Sequence, residues 1–125
     1  MRLLLDTHVY LWAVAGAPQL GPAARRLIEG ADQVYVSAVS IWEAAVKARL
    51  GKLQVDPHEL AAAIEPSGFI ELPVRAAHAA GVGGLDLHPN DPFDRLLLAQ
   101  ALAEPLRFVT ADAVLQRYSD IVILV

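Results

Sequence analysis

Asp6, Glu43, Asp94 and Asp112 stand where apolar, strand-like runs give way to helix-like ones, and Asp91 lies three residues before Asp94. In a parallel sheet all such junctions lie along one edge, where open α/β sheets bind their ligands. These acids are therefore placed to share one crevice. If they converge, each close pair repels by about 4 kcal/mol at a separation of ~4 Å and an effective dielectric near ~20. Such a cluster destabilises the fold unless protons or a cation neutralise it. The chain has no cysteine and no paired histidines. The partner suited to its carboxylates is then a hard divalent cation, magnesium or manganese, completed by waters and a substrate phosphate. The chemistry implied is phosphodiester hydrolysis, with water activated and transition-state charge steadied by metal.

Each acid also has a local explanation. Ser40-x-x-Glu43 fits a capping box, with Glu43 in the first turn of its helix. Asp91-Pro92-x-Asp94 fits a capped helix start, both acids favoured by the dipole. Asp112 fits a plain N-cap and Asp6 a turn residue. Capping accounts least well for Asp6, which closes the run Leu3-Leu4-Leu5, because a buried carboxylate without compensation is costly. Nor does it explain an acid at every interior junction.

Other residues carry two readings each. Lys47, four residues after Glu43, is either an exposed helix pair worth ~0.3–0.5 kcal/mol or a group that orients Glu43 or meets a phosphate. The Thr110 hydroxyl is within reach of a metal-bound water, or reflects β-propensity alone. Arg95 reads as a surface charge, a phosphate contact or a support for the site. His8 beside Asp6 is a structural histidine or a substrate contact. His8, His58, His78 and His88 form no zinc spacing. Trp12 and Trp42 read as anchors of the core or of an interface.

The elements that must position these groups alternate. Leu3–Leu5, Gln33–Ala38, Phe69–Leu72, Arg107–Thr110 and Ile121–Val125 read as strands. Between them, helices are expected over Val9–Ala15, Pro22–Gly30, Ser37–Leu50, from Asp56-Pro57 to about Ile64, from Val74 to about Val82, and from Asp91-Pro92 to Leu102. A short helix is expected over Ala113–Tyr118, and a loop holding Leu85 to Asn90 follows Gly83-Gly84. Ile41, Ala45, Ala48 and Trp42 are expected on the apolar face of the Ser37–Leu50 helix, and Arg25 and Arg26 on a solvated one. Short apolar strands alternating with helices imply an α/β sandwich, with a mainly parallel sheet covered on both faces.

At 125 residues and 13.4 kDa the chain reads as one domain, 1–125. Apolar residues make up 55% of it and charged ones 19%, with a mean hydropathy of +0.41, so burial of part of the surface against another chain is expected. The net charge of −4 and pI near 5.4 exclude a protein that holds nucleic acid through a broad cationic field. The absence of cysteine fits a reducing cytoplasm. Arg2, an apolar stretch and Ala13-Val14-Ala15 mimic a secretory signal, but Asp6 and His8 interrupt it, so the segment is read as structure.

The pieces LLLDTHVYLW (Leu3–Trp12), SAVSIWEAAVKARLGKL (Ser37–Leu53), DPFDRLLLAQA (Asp91–Ala101) and TAD (Thr110–Asp112), closed by QRY (Gln116–Tyr118), together resemble the PIN domain. More closely they resemble the VapC-like toxins of bacterial type II toxin–antitoxin pairs, in family order and over nearly the whole chain. The resemblance implies a five-stranded parallel sheet of order 3-2-1-4-5, with Asp6 and Asp112 at its switch point. It implies a magnesium- or manganese-dependent endoribonuclease, usually dimeric, silenced by a small antitoxin. Asp6, Glu43, Asp94 and Asp112 match the family's acidic positions and Thr110 its hydroxyl position. Asp91 leaves the third acid ambiguous, and Leu115 replaces the usual aromatic after the fourth.

Three rivals remain at this level. A phosphorelay receiver fits the length, but needs a lysine after a late strand, and the only lysines are Lys47 and Lys52. In a non-catalytic binding module the acids would only cap helices, with each carboxylate turned to its own backbone amides. A DNA-directed nuclease would share the fold.

Overall fold

In a computed structural model, which describes residues 1–86 and 90–125, the first strand sets the layering. His88 and the centre of the expected Leu85–Asn90 loop lie outside the described residues. Strand β1 spans Arg2–Leu5, and its three leucines are wholly buried. Successive strand side chains face opposite ways, so β1 feeds two cores. Leu3 and Leu5 pack with Val9, Tyr10, Val36 and Val109 on one face. Leu4 packs with Leu72, Leu97, Leu98 and Phe108 on the other. Each such leucine is worth roughly 1.5–3 kcal/mol relative to exposure.

Helix α1 (Thr7–Ala15) follows β1 directly, starting two residues earlier than expected, and closes on Gly16 in the left-handed region. Then come α2 (Pro22–Gly30), β2 (Gln33–Ser37), α3 (Ala38–Arg49), α4 (Pro57–Ala62), β3 (Ile70–Leu72) and α5 (Ala76–Gly81). A single 3₁₀ turn at Val82–Gly84 precedes α6 (Pro92–Ala103). Strand β4 (Arg107–Thr110), a 3₁₀ segment (Ala113–Tyr118) and β5 (Val122–Leu124) complete the described chain. The strands lie in the order β3-β2-β1-β4-β5, each pair parallel, with Leu4 opposite both Tyr35 and Phe108. The expected 3-2-1-4-5 order is borne out. No helix among the described residues is long and apolar enough to cross a membrane.

Two expected helix faces are corrected. The buried side of α3 carries Val39, Ser40, Glu43 and Ala44, while Trp42 is 51% exposed and meets Phe93 edge-on at 4.6 Å. The helix turns this way because Ser40 and Glu43 face Thr7 of α1. Arg25 is not simply solvated: its guanidinium donates to the carbonyls of Leu20 and Ala17, tying α2 to the turn before it.

A buried polar chain fixes the start of α3. Ser37 Oγ donates to Gln100 Oε1 at 2.5 Å, and Gln100 Nε2 donates to the Pro73 carbonyl. His78, 2% exposed, accepts from the Arg75 amide through Nδ1 and meets Glu104 through Nε2 at 2.6 Å. The β2–α3 junction, and with it Glu43, is thereby locked to α5 and α6.

Candidate active site

The carboxyl edge of the sheet delivers Asp6 from β1 and Asp112 from β4, with α3 and α6 flanking them. Asp6 is 8% exposed, and each of its oxygens has a donor. Oδ1 accepts from the Thr7 amide at 2.8 Å and Oδ2 from the Thr110 hydroxyl at 2.6 Å. Capping therefore reaches Asp6 after all, because α1 begins at the very next residue. Burial raises the pKa of this carboxyl above its ordinary range; the Thr110 and Thr7 bonds and His8 oppose that rise, and Glu43 adds to it.

Glu43 is more deeply enclosed, at 3% exposure. Oε1 accepts from the Thr7 hydroxyl at 2.6 Å and Oε2 from the Lys47 ammonium at 2.5 Å. The expected Ser40–Glu43 capping box does not form. The N-cap of α3 is Ser37, whose Oγ accepts from the Val39 amide, so Glu43 sits in the second turn. Ser40 Oγ instead lies 3.0 Å from Thr7 Oγ1. Burial alone would lower the pKa of Lys47, but its bond to Glu43 and the charges of Glu43, Asp91 and Asp94 outweigh that and raise it.

At the start of α6 the two acids divide. Asp91 is exposed and caps the helix, its Oδ1 accepting from the amides of Phe93 and Asp94. Asp94 is half-buried in the first turn, and its pKa is pushed up to about 7. Burial is the largest cause, followed by repulsion from Asp6, Asp91, Glu43 and Asp112. Asp112 is exposed and caps the 3₁₀ segment through Val114, while its own amide donates to Thr110 Oγ1 at 3.1 Å. Arg95 donates to the carbonyls of Asp86 and Val82 in the segment before α6.

Asp6, Glu43, Asp91, Asp94 and Asp112 line one groove of about 330 Å³. His8, Trp12 and Lys47 also line it, the first two with rings 6.1 Å apart. Among the described residues, no three His, Cys, Asp or Glu side chains gather tightly enough to enclose a cation unaided. The groove is an open wall of carboxylates in which burial and neighbouring charge raise the pKa of Asp94. It suits a cation that keeps some of its waters and shares a phosphate with its substrate. A cavity of about 390 Å³ between α2 and the Ser67–Ile70 segment lies elsewhere and contains none of these acids.

Thr7 is a site residue that the sequence does not single out. Its only signal was its place beside Asp6 at the start of a helix, and a threonine there reads equally well as an ordinary first-turn residue.

The sequence matches the PIN domain family over residues 3–121. It is 34% identical over 116 residues to Ribonuclease VapC22 of Mycobacterium tuberculosis, covering 88% of this chain and 86% of that protein. Its fold is similar to that of VapBC2 from Rickettsia felis bound to a promoter DNA fragment, with a TM-score of 0.70, 19% identity and coverage of 100% and 98% of the two chains. It is likewise similar to DNA-bound VapBC from Salmonella typhimurium, with a TM-score of 0.68, 16% identity and coverage of 100% and 97%.

Proposed function

The chain belongs to the PIN-domain family, and on that premise we propose that it is a divalent-metal-dependent endoribonuclease, the toxin of a toxin–antitoxin pair. The observation that carries this reading is the convergence of five carboxylates on one groove, with Asp6 and Glu43 buried; burial, together with that crowding, pushes the pKa of Asp94 up to about 7. A groove built only for capping has no reason to collect charge that its own protons must neutralise. Capping accounts for Asp91 and Asp112 and for one oxygen of Asp6. It does not account for Glu43, enclosed between Thr7 and Lys47.

The donor set, all oxygen and all acidic, fits magnesium or manganese. Asp6 and Asp94 would be the main ligands, with Glu43 and Asp112 binding directly or through water. A cation held there would supply an activated water and neutralise charge in the transition state. The protein's part is to hold the acids in register. Thr110 and the Thr7 amide fix Asp6, Lys47 and the Thr7 hydroxyl fix Glu43, and the Asp91 cap anchors the turn that carries Asp94. Arg95, next to Asp94, ties that turn to the preceding segment through the Asp86 and Val82 carbonyls.

RNA is the substrate class suggested by the ribonuclease relative. With a net charge of −4, recognition rests on RNA shape and local contacts rather than on a cationic field. A small cognate antitoxin is the expected inhibitor, since structures of similar fold include toxin–antitoxin complexes. Trp42, Leu50, Leu102 and Val114 are each at least 46% exposed and offer apolar surface to a homodimer or to that antitoxin. The setting is the cytoplasm, and residues 1–125 act as one domain. The test is cleavage of RNA by the purified protein with magnesium and with chelator, compared with the Asp6→Asn variant.

A further inference from the structure

Asp6 and Glu43 reach the groove from different elements, the end of β1 and the second turn of α3. One residue is bonded to both. The Thr7 amide donates to Asp6 Oδ1 at 2.8 Å, and its hydroxyl donates to Glu43 Oε1 at 2.6 Å, across 36 residues of sequence. We propose that Thr7 is a positioning residue that sets the spacing of Asp6 and Glu43, holding one by its amide and the other by its hydroxyl, and so sets the protein's affinity for the divalent cation. The inference rests on the metal-dependent reading above.

A threonine hydroxyl has one proton to give. The shorter bond takes it to the carboxylate, as expected for a charged acceptor. Ser40 Oγ, 3.0 Å from Thr7 Oγ1, then donates back to the lone pair of that oxygen and keeps its proton aimed at Glu43. Both hydroxyl residues are 1% exposed, so water does not compete. The side chain is β-branched and sits at the first position of α1, which restricts its rotamer. Valine has the same shape and the same amide but no donor. Thr7→Val therefore keeps the Asp6 bond, removes the hydroxyl bonds to Glu43 Oε1 and Ser40, and leaves Glu43 held by Lys47 alone.

Outer partners that orient metal ligands are worth about 10–100-fold in metal affinity. The experiment is manganese binding to the full-length protein, by calorimetry and by the electron paramagnetic resonance of free ion, with folding checked by circular dichroism. Thr7→Val is expected to bind manganese about tenfold more weakly, and Thr7→Ser within about twofold of the parent. Ser40→Ala, which leaves Thr7 in place but unguided, is expected to fall between them. A purely structural Thr7 would lower the melting temperature of Thr7→Val and leave the manganese affinity of the folded protein unchanged, and that result overturns the proposal. If Thr7→Val does not fold, Ser40→Ala and Thr7→Ser decide, and parental affinity in Ser40→Ala overturns it. A parent that cleaves RNA while Thr7→Val binds manganese normally refutes this inference alone. A parent that neither binds manganese nor cleaves RNA refutes the functional reading with it.

Discussion

The Thr110 hydroxyl donates to Asp6 Oδ2 at 2.6 Å, joining the ends of β4 and β1 across 104 residues of sequence. The same oxygen accepts the Asp112 amide at 3.1 Å, so one buried hydroxyl registers two acids of the groove. Thr110→Val keeps the shape and removes both bonds. Its folding stability should fall by about 1–3 kcal/mol, the cost of leaving a buried acceptor unpaired. RNA cleavage should fall at least about tenfold, and Thr110→Ser should recover most of both losses. Urea denaturation and initial cleavage rates measure the two effects.

Asp94 makes the metal-free protein sensitive to pH in a defined direction. Its carboxyl keeps a proton up to about pH 7 in the native state, against an ordinary value of 3.8. Between those limits the folded chain binds more protons than the unfolded one, so stability falls as pH rises. Asp6 is shifted the same way and adds to the trend. In EDTA the melting temperature should be higher at pH 5 than at pH 7.5. Asp94→Asn should remove most of that slope, and manganese should raise the parent's melting temperature at pH 7.5. A melting temperature that climbs from pH 5 to 7.5 would contradict the assignment.

Lys47 brings a positive charge into the groove through its 2.5 Å contact with Glu43. Lys47→Met leaves a buried carboxylate oxygen without its donor, at a cost of about 1–3 kcal/mol in the metal-free protein. The melting temperature in EDTA should drop by roughly 4–10 °C. Saturating manganese should recover part of the drop, because a bound cation takes over the neutralisation. Paired thermal melts with EDTA and with manganese measure the difference.

The acids were legible from sequence because each stands at a strand-to-helix junction, and a parallel sheet gathers such junctions at one edge. Element limits followed from local chemistry. Pro22 opens α2, Asp91-Pro92 opens α6, and Gly51, at φ 75°, follows the end of α3. Strand order came from the resemblance, since no local pattern encodes which strands are neighbours. The capping box at Ser40 was misplaced by one turn: β2 runs into α3 without a loop, so Ser37 is at once the last strand residue and the cap. The buried face of α3 was misread for a related reason. Apolar periodicity favoured Ile41, Ala45 and Ala48, whereas the helix turns Ser40 and Glu43 inward to meet Thr7. Polar contacts between distant segments leave no hydrophobic pattern, so Thr7 could be found only in three dimensions.

The central claim, that these carboxylates hold a metal for RNA hydrolysis, is tested most directly by one comparison on a single RNA. Purified protein is assayed with magnesium, with EDTA, and as Asp6→Asn with magnesium. Cleavage is expected with magnesium, none above background in EDTA, and a loss of about a hundredfold or more in Asp6→Asn, which should still fold because its amide oxygen can accept the Thr7 N–H while its NH2 donates to the Thr110 hydroxyl oxygen. Full cleavage by Asp6→Asn, or cleavage by the parent that EDTA leaves untouched, would contradict the account.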